Sequence, residues 1–336
     1  WDHHLSQSLA PYRALVARDP HDIEALLGQA RVLSWQDQLS PSLRDYKHIL
    51  ALDPGNLEAR ENIARVQSWR GRQRVAHKLA DAVLADHADD LSAALTRANS
   101  ELWMGRPNRA ALDERVLLRN HPTDSGVRNL ANDLSDQRMP QLRIASSTAN
   151  SSDGLNIRST TFENEYPIDQ GASSFGVRYE PISYVGNSSE GSATERRIGL
   201  FAHDRLSDLV ELHGTVQNDE VSVTGVANRK LLLYDTYLTL YPNDTLRFDF
   251  GQRQESFDNV VSLRMGLTAV FDTASLDITP DENTRLSVRA NQGRYTDGNR
   301  RGWEQVEFER AVLRKPRLSF GARTTGYSFS QNLYDG

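Results

Sequence analysis

The sequence predicts an α + β protein: an N-terminal superhelix of helical hairpins, then an antiparallel transmembrane β-barrel that is incomplete within the chain. Three observations predict it. A tryptophan returns every 34 residues through the first third of the chain, at Trp1, Trp35, Trp69 and Trp103. Beyond Met139-Pro140 the helical period disappears and apolar and polar residues alternate. The connections between the alternating segments are short and long by turns. The division is a helical-repeat domain over 1–138 and barrel strands over 139–336.

Other columns keep the tryptophan's step. Ala30, Ala64 and Ala98 stand five residues before their tryptophans, and Gly71 and Gly105 two residues after. Pro20, Pro54 and Pro122 lie on the same grid, with Ala88 in the fourth place. A period of about 34 residues, with a small residue inside the first helix and a proline at the end, is the tetratricopeptide signature. The small residue lets two helices approach, and the proline stops the second. The pattern places first helices over Ile23–Gln36, Leu57–Arg70 and Leu91–Met104, and their partners over Leu39–Leu52, Gln73–Asp86 and Asn108–Arg119. A last helix, roughly Ser125–Gln137, caps the stack, with Asn132 where its siblings carry alanine. The tryptophans are expected in the core between repeats, Trp69 between neighbouring hairpins. Trp1 sits in the tryptophan column, so the sequence is expected to begin partway through a repeat, with any signal peptide upstream.

A length of 336 residues suits two domains. A net charge of −6 and the lack of a basic stripe argue against a nucleic-acid partner. Zero cysteines exclude disulfides and cysteine metal sites. No apolar run of about 18 residues offers a transmembrane helix, but a barrel needs none, because its lipid-facing and lumen-facing residues alternate.

Alternation marks about eleven segments of strand length. Val210, Leu212, Gly214 and Val216 alternate with Glu211, His213, Thr215 and Gln217; Leu246, Phe248 and Phe250 with Arg247, Asp249 and Gly251. Leu286, Val288 and Ala290 alternate with Ser287 and Arg289, and Leu318, Phe320 and Ala322 with Ser319 and Arg323. Tight turns are expected at Asp204–Asp208, Tyr241–Thr245, Thr279–Thr284 and Arg314–Arg317. Longer loops are expected at Gly186–Glu195, Asn218–Arg229, Glu255–Gly266 and Tyr295–Gly302. Short turns on one rim and long loops on the other suit an outer-membrane barrel whose short rim faces the periplasm, where the repeats would then lie. A soluble two-layered β-domain also alternates, but it lacks the loop asymmetry. An odd strand count does not close a bacterial barrel, so closing strands are expected downstream of Tyr334-Asp335-Gly336.

No HExxH, GxSxG, Walker or GxGxxG motif occurs, so no catalytic residue, metal or cofactor is expected and the chain reads as a non-enzyme. His3 and His4 read as solvated surface; His48, His77, His87 and His121 lie on or beside repeat helices and read as packing or surface. Glu307 and Glu309 share a strand face because residues two apart point the same way. The polar strand face would line a lumen. Its basic members are Arg158, Arg178, Arg197, Arg247, Arg253, Arg285, Arg289 and Arg323, with His213 beside them. Its acids are Glu180, Glu211, Asp235, Asp249, Asp277, Glu307 and Glu309. Neither sign dominates, which suits a neutral or weakly charged polar solute held by many weak hydrogen bonds. Leu212, Tyr234 and Phe248 would face lipid.

A tetratricopeptide superhelix running into an outer-membrane barrel resembles the exopolysaccharide export porins of Gram-negative bacteria, which include poly-β-1,6-N-acetylglucosamine and cellulose exporters. The resemblance covers the whole chain in architecture. In detail it rests on the columns around Ala30–Trp35 and Ala64–Trp69 and on the stretch Gly293-Arg294-Tyr295-Thr296-Asp297-Gly298-Asn299-Arg300-Arg301, which is most similar to the poly-N-acetylglucosamine porins. It implies passive conduction of an exopolysaccharide from periplasm to cell surface. It also implies that the repeats recruit a periplasmic polymer-modifying enzyme or synthase subunit. Lumens in that family tend to be acidic; the mixed face here departs from them. The competing expectation is an interaction scaffold whose β-domain is a closed, non-conducting barrel.

Overall fold

The computed structural model describes residues 2–152, 154–186, 191–256, 259–314 and 317–330. Trp1, the turn at 315–316 and Tyr334-Asp335-Gly336 lie outside the described residues, as do the side chains of His3 and His4.

Eight helices open the described chain: α1 (Asp2–Arg18), α2 (Ile23–Trp35), α3 (Leu39–Leu52), α4 (Leu57–Trp69), α5 (Gln73–Asp86), α6 (Leu91–Trp103), α7 (Pro107–Asn120) and α8 (Ser125–Arg138). A column that the sequence reading had not singled out starts each first helix. Asp22, Asn56, Asp90 and Asp124 accept hydrogen bonds from the amides of Ala25, Ala59, Ala93 and Val127, at 3.0, 3.0, 2.7 and 3.0 Å. Each satisfies one of the amides that a helix N-terminus leaves unpaired. The glycine column closes those helices: Gly71 and Gly105 sit at φ 77° and 71°, where a β-carbon is disfavoured, and Asp37 takes the same role at 62°. The next amides, of Gln38, Arg72 and Arg106, reach back to Leu33, Gln67 and Glu101 carbonyls at 2.9 Å each.

Ala30, Ala64 and Ala98 are fully buried, as close helix packing requires. Ala64 packs with Ala80, Val83 and Ala93 in one cluster; Tyr46, Ile49, Leu39 and Val66 fill another. The tryptophans correct the expectation of a core column. Trp35, Trp69 and Trp103 are 53%, 46% and 69% exposed. Five residues along a helix is 500°, so each indole stands about 140° round from its buried alanine and faces away from the partner helix.

The chain then forms one antiparallel sheet of 11 strands in sequence order. They are β1 (Gln141–Asn150), β2 (Asn156–Ile168), β3 (Ser173–Val185), β4 (Ser192–Asp204), β5 (Val210–Val223), β6 (Arg229–Asn243), β7 (Leu246–Ser256), β8 (Thr268–Asp281), β9 (Thr284–Tyr295), β10 (Arg300–Arg314) and β11 (Arg317–Ser330). Among the described residues β1 and β11 are not paired with each other, so the sheet is an open barrel wall. Several strands run further than their alternation suggests. Ala193 pairs with Val223 and Arg300 with Arg294, so the expected loops at 218–229 and 295–302 shrink to their tips. The segment 257–267 keeps its length and holds a short helix, α9 (Val260–Met265).

The register aligns apolar residues across strands on one face. Val177, Leu200, Val216 and Tyr234 form one cross-strand row; Phe248, Leu276, Val288 and Val306 form another. Many of this face's side chains are open, Leu200 at 66%. The opposite face is polar and enclosed, with Glu195, Asp219 and Thr239 fully buried, so the sheet curls towards it.

Two outcomes follow from the helical part. Ala64→Trp should overpack the α4–α5–α6 contact and cost about 1–3 kcal/mol, read from the helical melt at 222 nm. Glu61, packed beside Asp90 and Ser92, is pushed up to about 7, first by burial and then by its hydrogen bond to Asp90. The folded chain holds this proton more tightly than the unfolded chain, whose value is near 4.5, so stability should fall as pH rises between 4.5 and about 7. Glu61→Gln should remove that slope and gain about 1–2 kcal/mol at pH 8, after allowance for solvent screening.

Candidate functional site on the inner wall and its helical collar

The enclosed face carries nearly every charged residue that the alternation assigned to a lumen. Arg197 gathers three acids from its own and both neighbouring strands: Glu195 at 2.6 Å, Glu180 at 3.5 Å and Asp219 at 3.7 Å. Tyr184 and Ser256 hydroxyls donate to Glu195 at 2.9 and 2.7 Å. Arg178 donates to Glu163 at 2.6 Å, and Arg143 adds a 3.2 Å bond from the edge strand. Glu211 accepts from Arg205 at 3.0 Å and Tyr241 at 3.1 Å, and pairs with His203 at 3.0 Å. Asp249 is held by Thr239, Ser275 and Arg247, and Asp277 by Arg285 and Ser287.

The other assigned residues share this face with looser partners. His213 stacks on Tyr237, with ring centres 4.6 Å apart, instead of joining an ion pair. Asp235 stands across from Thr215 and Arg253; Arg253 pairs with Glu255 at 3.2 Å and lies over the Phe271 ring. Arg289 approaches Glu307 at 3.9 Å, and Arg323 faces Glu307 across the β10–β11 pair. Glu309 stands opposite Arg285 in the ladder.

Arg158 is the exception. Its ladder partner is Ser183, and it shares a face with Phe162 and Tyr179, so it points out of the wall. In β2 the open aromatics Phe162 and Tyr166 occupy even positions, which leaves Glu163 and Glu165 inside. Arg143, Glu163, Glu165, Glu195, His203 and Asp219 also line the inner face, beyond the residues that alternation assigns there. Asp219 falls within the loop expected over Asn218–Arg229, whereas β5 continues to Val223. With Glu163, Glu165, Glu195, Asp219 and Arg143 added and Arg158 removed, the named acids of the wall outnumber its named arginines. Glu195 and Asp219 carried a local signal, since they share the parity of Arg197 and of Glu211 and His213; Glu163 and Glu165 have the opposite parity to Arg158 and carried none.

At the long-loop end, α9 folds back onto the wall. Val260 and Leu263 pack with Ile182, Tyr184, Val221 and Val223 in a buried cluster. Arg229 donates to the Arg264 carbonyl at 2.9 Å and fastens the helix from β6.

At the short-turn end, the helical repeats form a collar. Asp244, in the β6–β7 turn, accepts the amides of Arg74 at 3.1 Å and Val75 at 3.3 Å, and so caps α5, which has no side-chain cap of its own. Arg72 donates to the Asp244, Thr279 and Pro280 carbonyls at 2.8, 2.6 and 2.6 Å. Arg74 and Arg106 converge on Asp208 in the β4–β5 turn, at 3.3 and 2.8 Å. Burial works against the Asp208 charge, but these two arginines hold its carboxyl below the ordinary value. Glu282, in the β8–β9 turn, takes Arg70 at 2.9 Å and the Ser40 hydroxyl at 2.7 Å. The 3-10 turn Asp169–Gly171, between β2 and β3, packs against α7 and α8. Successive helical hairpins thus dock on successive strand turns, in reverse order. Acids in three of the tight turns, Asp208, Asp244 and Glu282, and an arginine column at Arg72 and Arg106 are the sequence signs of this interface.

No protein-family model matches the sequence, and no curated protein matches it. Among solved structures, the chain is similar to a tetratricopeptide repeat protein from Parabacteroides merdae, at 18% identity and a TM-score of 0.36, over 40% of this chain and 55% of that one. It is also similar to a thermophilic tetratricopeptide repeat protein from Thermus thermophilus, at 20% identity and a TM-score of 0.35, over 40% of this chain and 74% of that one. The chain therefore spans about half the length of the first of these. The helical-repeat assignment stands on the caps, turns and buried alanines described above.

Asp244→Ala should uncap α5 and weaken the collar contact by about 1–2 kcal/mol. Amide hydrogen exchange should quicken at Arg74 and Val75 while the amides of β3–β5 keep their protection.

Proposed function

We propose that this chain is the collar and part of the wall of an outer-membrane porin that exports an exopolysaccharide, of the poly-N-acetylglucosamine type, from periplasm to cell surface. The observation that carries the reading is the two-sided sheet: aligned, open apolar rows outside a polar, carboxylate-rich inner wall. Contiguous exposed apolar surface of this extent marks a lipid or protein interface, and a curved antiparallel wall can satisfy its backbone in a bilayer once closed. No helix among the described residues is long and apolar enough to cross a membrane, which says nothing of crossing by strands. The rim that carries the collar would lie in the periplasm, and the rim that carries α9 outside.

The inner wall supports a path for a hydroxyl-rich chain. Its arginines are mostly engaged by carboxylates, and the remaining acids suit a polymer bearing some cationic amines. Conduction would be passive and the protein not an enzyme. The collar, a repeat surface of the kind that binds protein segments, would recruit a periplasmic polymer-modifying enzyme or synthase subunit. A scaffold with a non-conducting barrel is the second reading, favoured by α9, which narrows the wall at the long-loop end.

Planar-bilayer recording on the membrane-inserted protein, with quantitation of secreted polymer, separates the two readings. Conduction that changes on Asp235→Ala, with matching change in secretion, is the expected result; a silent, correctly inserted protein would leave only the scaffold. Leu200→Arg should instead impair insertion by about 2–4 kcal/mol near the bilayer midplane, visible as lost heat-modifiable gel migration. Cysteines at Asn299 and Asn243 should label from outside the cell at Asn299 only.

A further inference from the structure

The tryptophan column has no packing role that explains it. Three large indoles stand open at the same place in three repeats, the last residue of α2, α4 and α6, while the alanines behind them carry the helix contacts. Leaving such area in water forgoes a stabilisation that burial would give. The surroundings show where the column leads. Trp69 borders a cleft whose far side is Arg285 and Glu309 of the inner wall. Trp103 borders a second cleft, with Tyr241, Arg247 and Asp277 of the same wall opposite. Trp69 and Trp103 therefore open onto the polar face at its short-turn end, and Trp35 continues the column one repeat further along the collar. Arg65 lies over the Trp69 ring, 5.4 Å from its centre, which orients the indole.

We propose that Trp35, Trp69 and Trp103 are a stacking ladder that receives a polysaccharide on the collar and passes it to the inner wall. This rests on the export reading and names the site at which the polymer is first held. A pyranose with equatorial substituents has an apolar C–H face that lies flat on an indole, and a rim of hydroxyls or amines that suits the flanking carboxylates and arginines. The regular step favours a repeating polymer. Packed helices lie about 8–10 Å apart, so neighbouring rungs recur on the scale of a few sugars. A peptide partner would ask instead for pockets shaped to individual side chains, and these indoles are flat and open.

The test uses the whole chain in detergent and two soluble probes, a partly N-acetylated β-1,6-linked glucosamine hexamer and cellohexaose, titrated by calorimetry. Trp35→Ala, Trp69→Ala and Trp103→Ala should each weaken binding of at least one hexamer about three- to tenfold, and the triple variant far more. Trp69→Phe, which keeps an aromatic face, should retain most of the affinity and guards against a merely structural loss. Open-pore conductance should not change. Wild-type affinity in the triple variant would overturn the ladder, as would failure of the wild-type chain to bind either hexamer, and normal conductance and secretion would then leave the export reading intact. Lost hexamer binding with undiminished polymer secretion would overturn the hand-off from the ladder to the wall and leave the export reading intact. Loss of a periplasmic protein partner, with hexamer binding unaltered, would also overturn the ladder.

Discussion

The structure depends on a match between two repeat lengths. Strands lie about 4.8 Å apart, so each β-hairpin advances the rim by about 10 Å, and more where strands tilt. Packed helices lie about 8–10 Å apart, so each helical hairpin advances the collar by a similar step. One helical turn can therefore meet one strand turn several times in succession. Arginines on the helical side meet Asp208, Asp244 and Glu282 on the strand side. These pairs are largely withdrawn from water, where charge-assisted bonds are stronger than on an open surface. Asp244 goes further and completes a helix that would otherwise leave its first amides unpaired. Without that cap and its arginines, the collar would be joined to the wall through little more than the Met139-Pro140 link and the packing around Asp169–Gly171.

The wall solves a different problem. Its inner face buries carboxylates such as Glu195 and Asp219, which is costly unless each finds a cation or a donor. Arginine suits the task because its planar fork can serve several acids at once, as Arg197 does for Glu180, Glu195 and Asp219. The outer face has the converse character, with open aliphatic and aromatic rows that only a non-aqueous neighbour would favour. Both faces come from a single period-two pattern, so neither can be changed by a register slip without exchanging them.

The two ends of the wall differ. At the collar end the inner face is open to clefts bordered by Trp69 and Trp103. At the other end α9 and its apolar contacts occupy the inner face beside Tyr184. An open, aromatic end and a narrowed end beside α9 make the wall asymmetric in a way that strand alternation alone does not carry.

Much was settled by local chemistry. The 34-residue period, the alanines that must be small, the glycines that must turn left-handed and the alternation of strand faces each arise from residues close in sequence. They determined a helical-repeat domain followed by an antiparallel sheet. Most of the inner-wall list was legible for the same reason, because parity within a strand needs no partner. Arg158 was not, since its strand's phase is set by Phe162 and Tyr166 against their neighbours on β3. Nor was the end of β5, which its pairing with β4 extends to Val223. The fate of the tryptophans lay furthest from the sequence. A recurring aromatic reads as core, and only the stacking of the hairpins against the rim decides which way an indole at a helix end can point. Which residues repeat is written in their order along the chain; what the repeats face is not, because burial is set by neighbours distant in sequence.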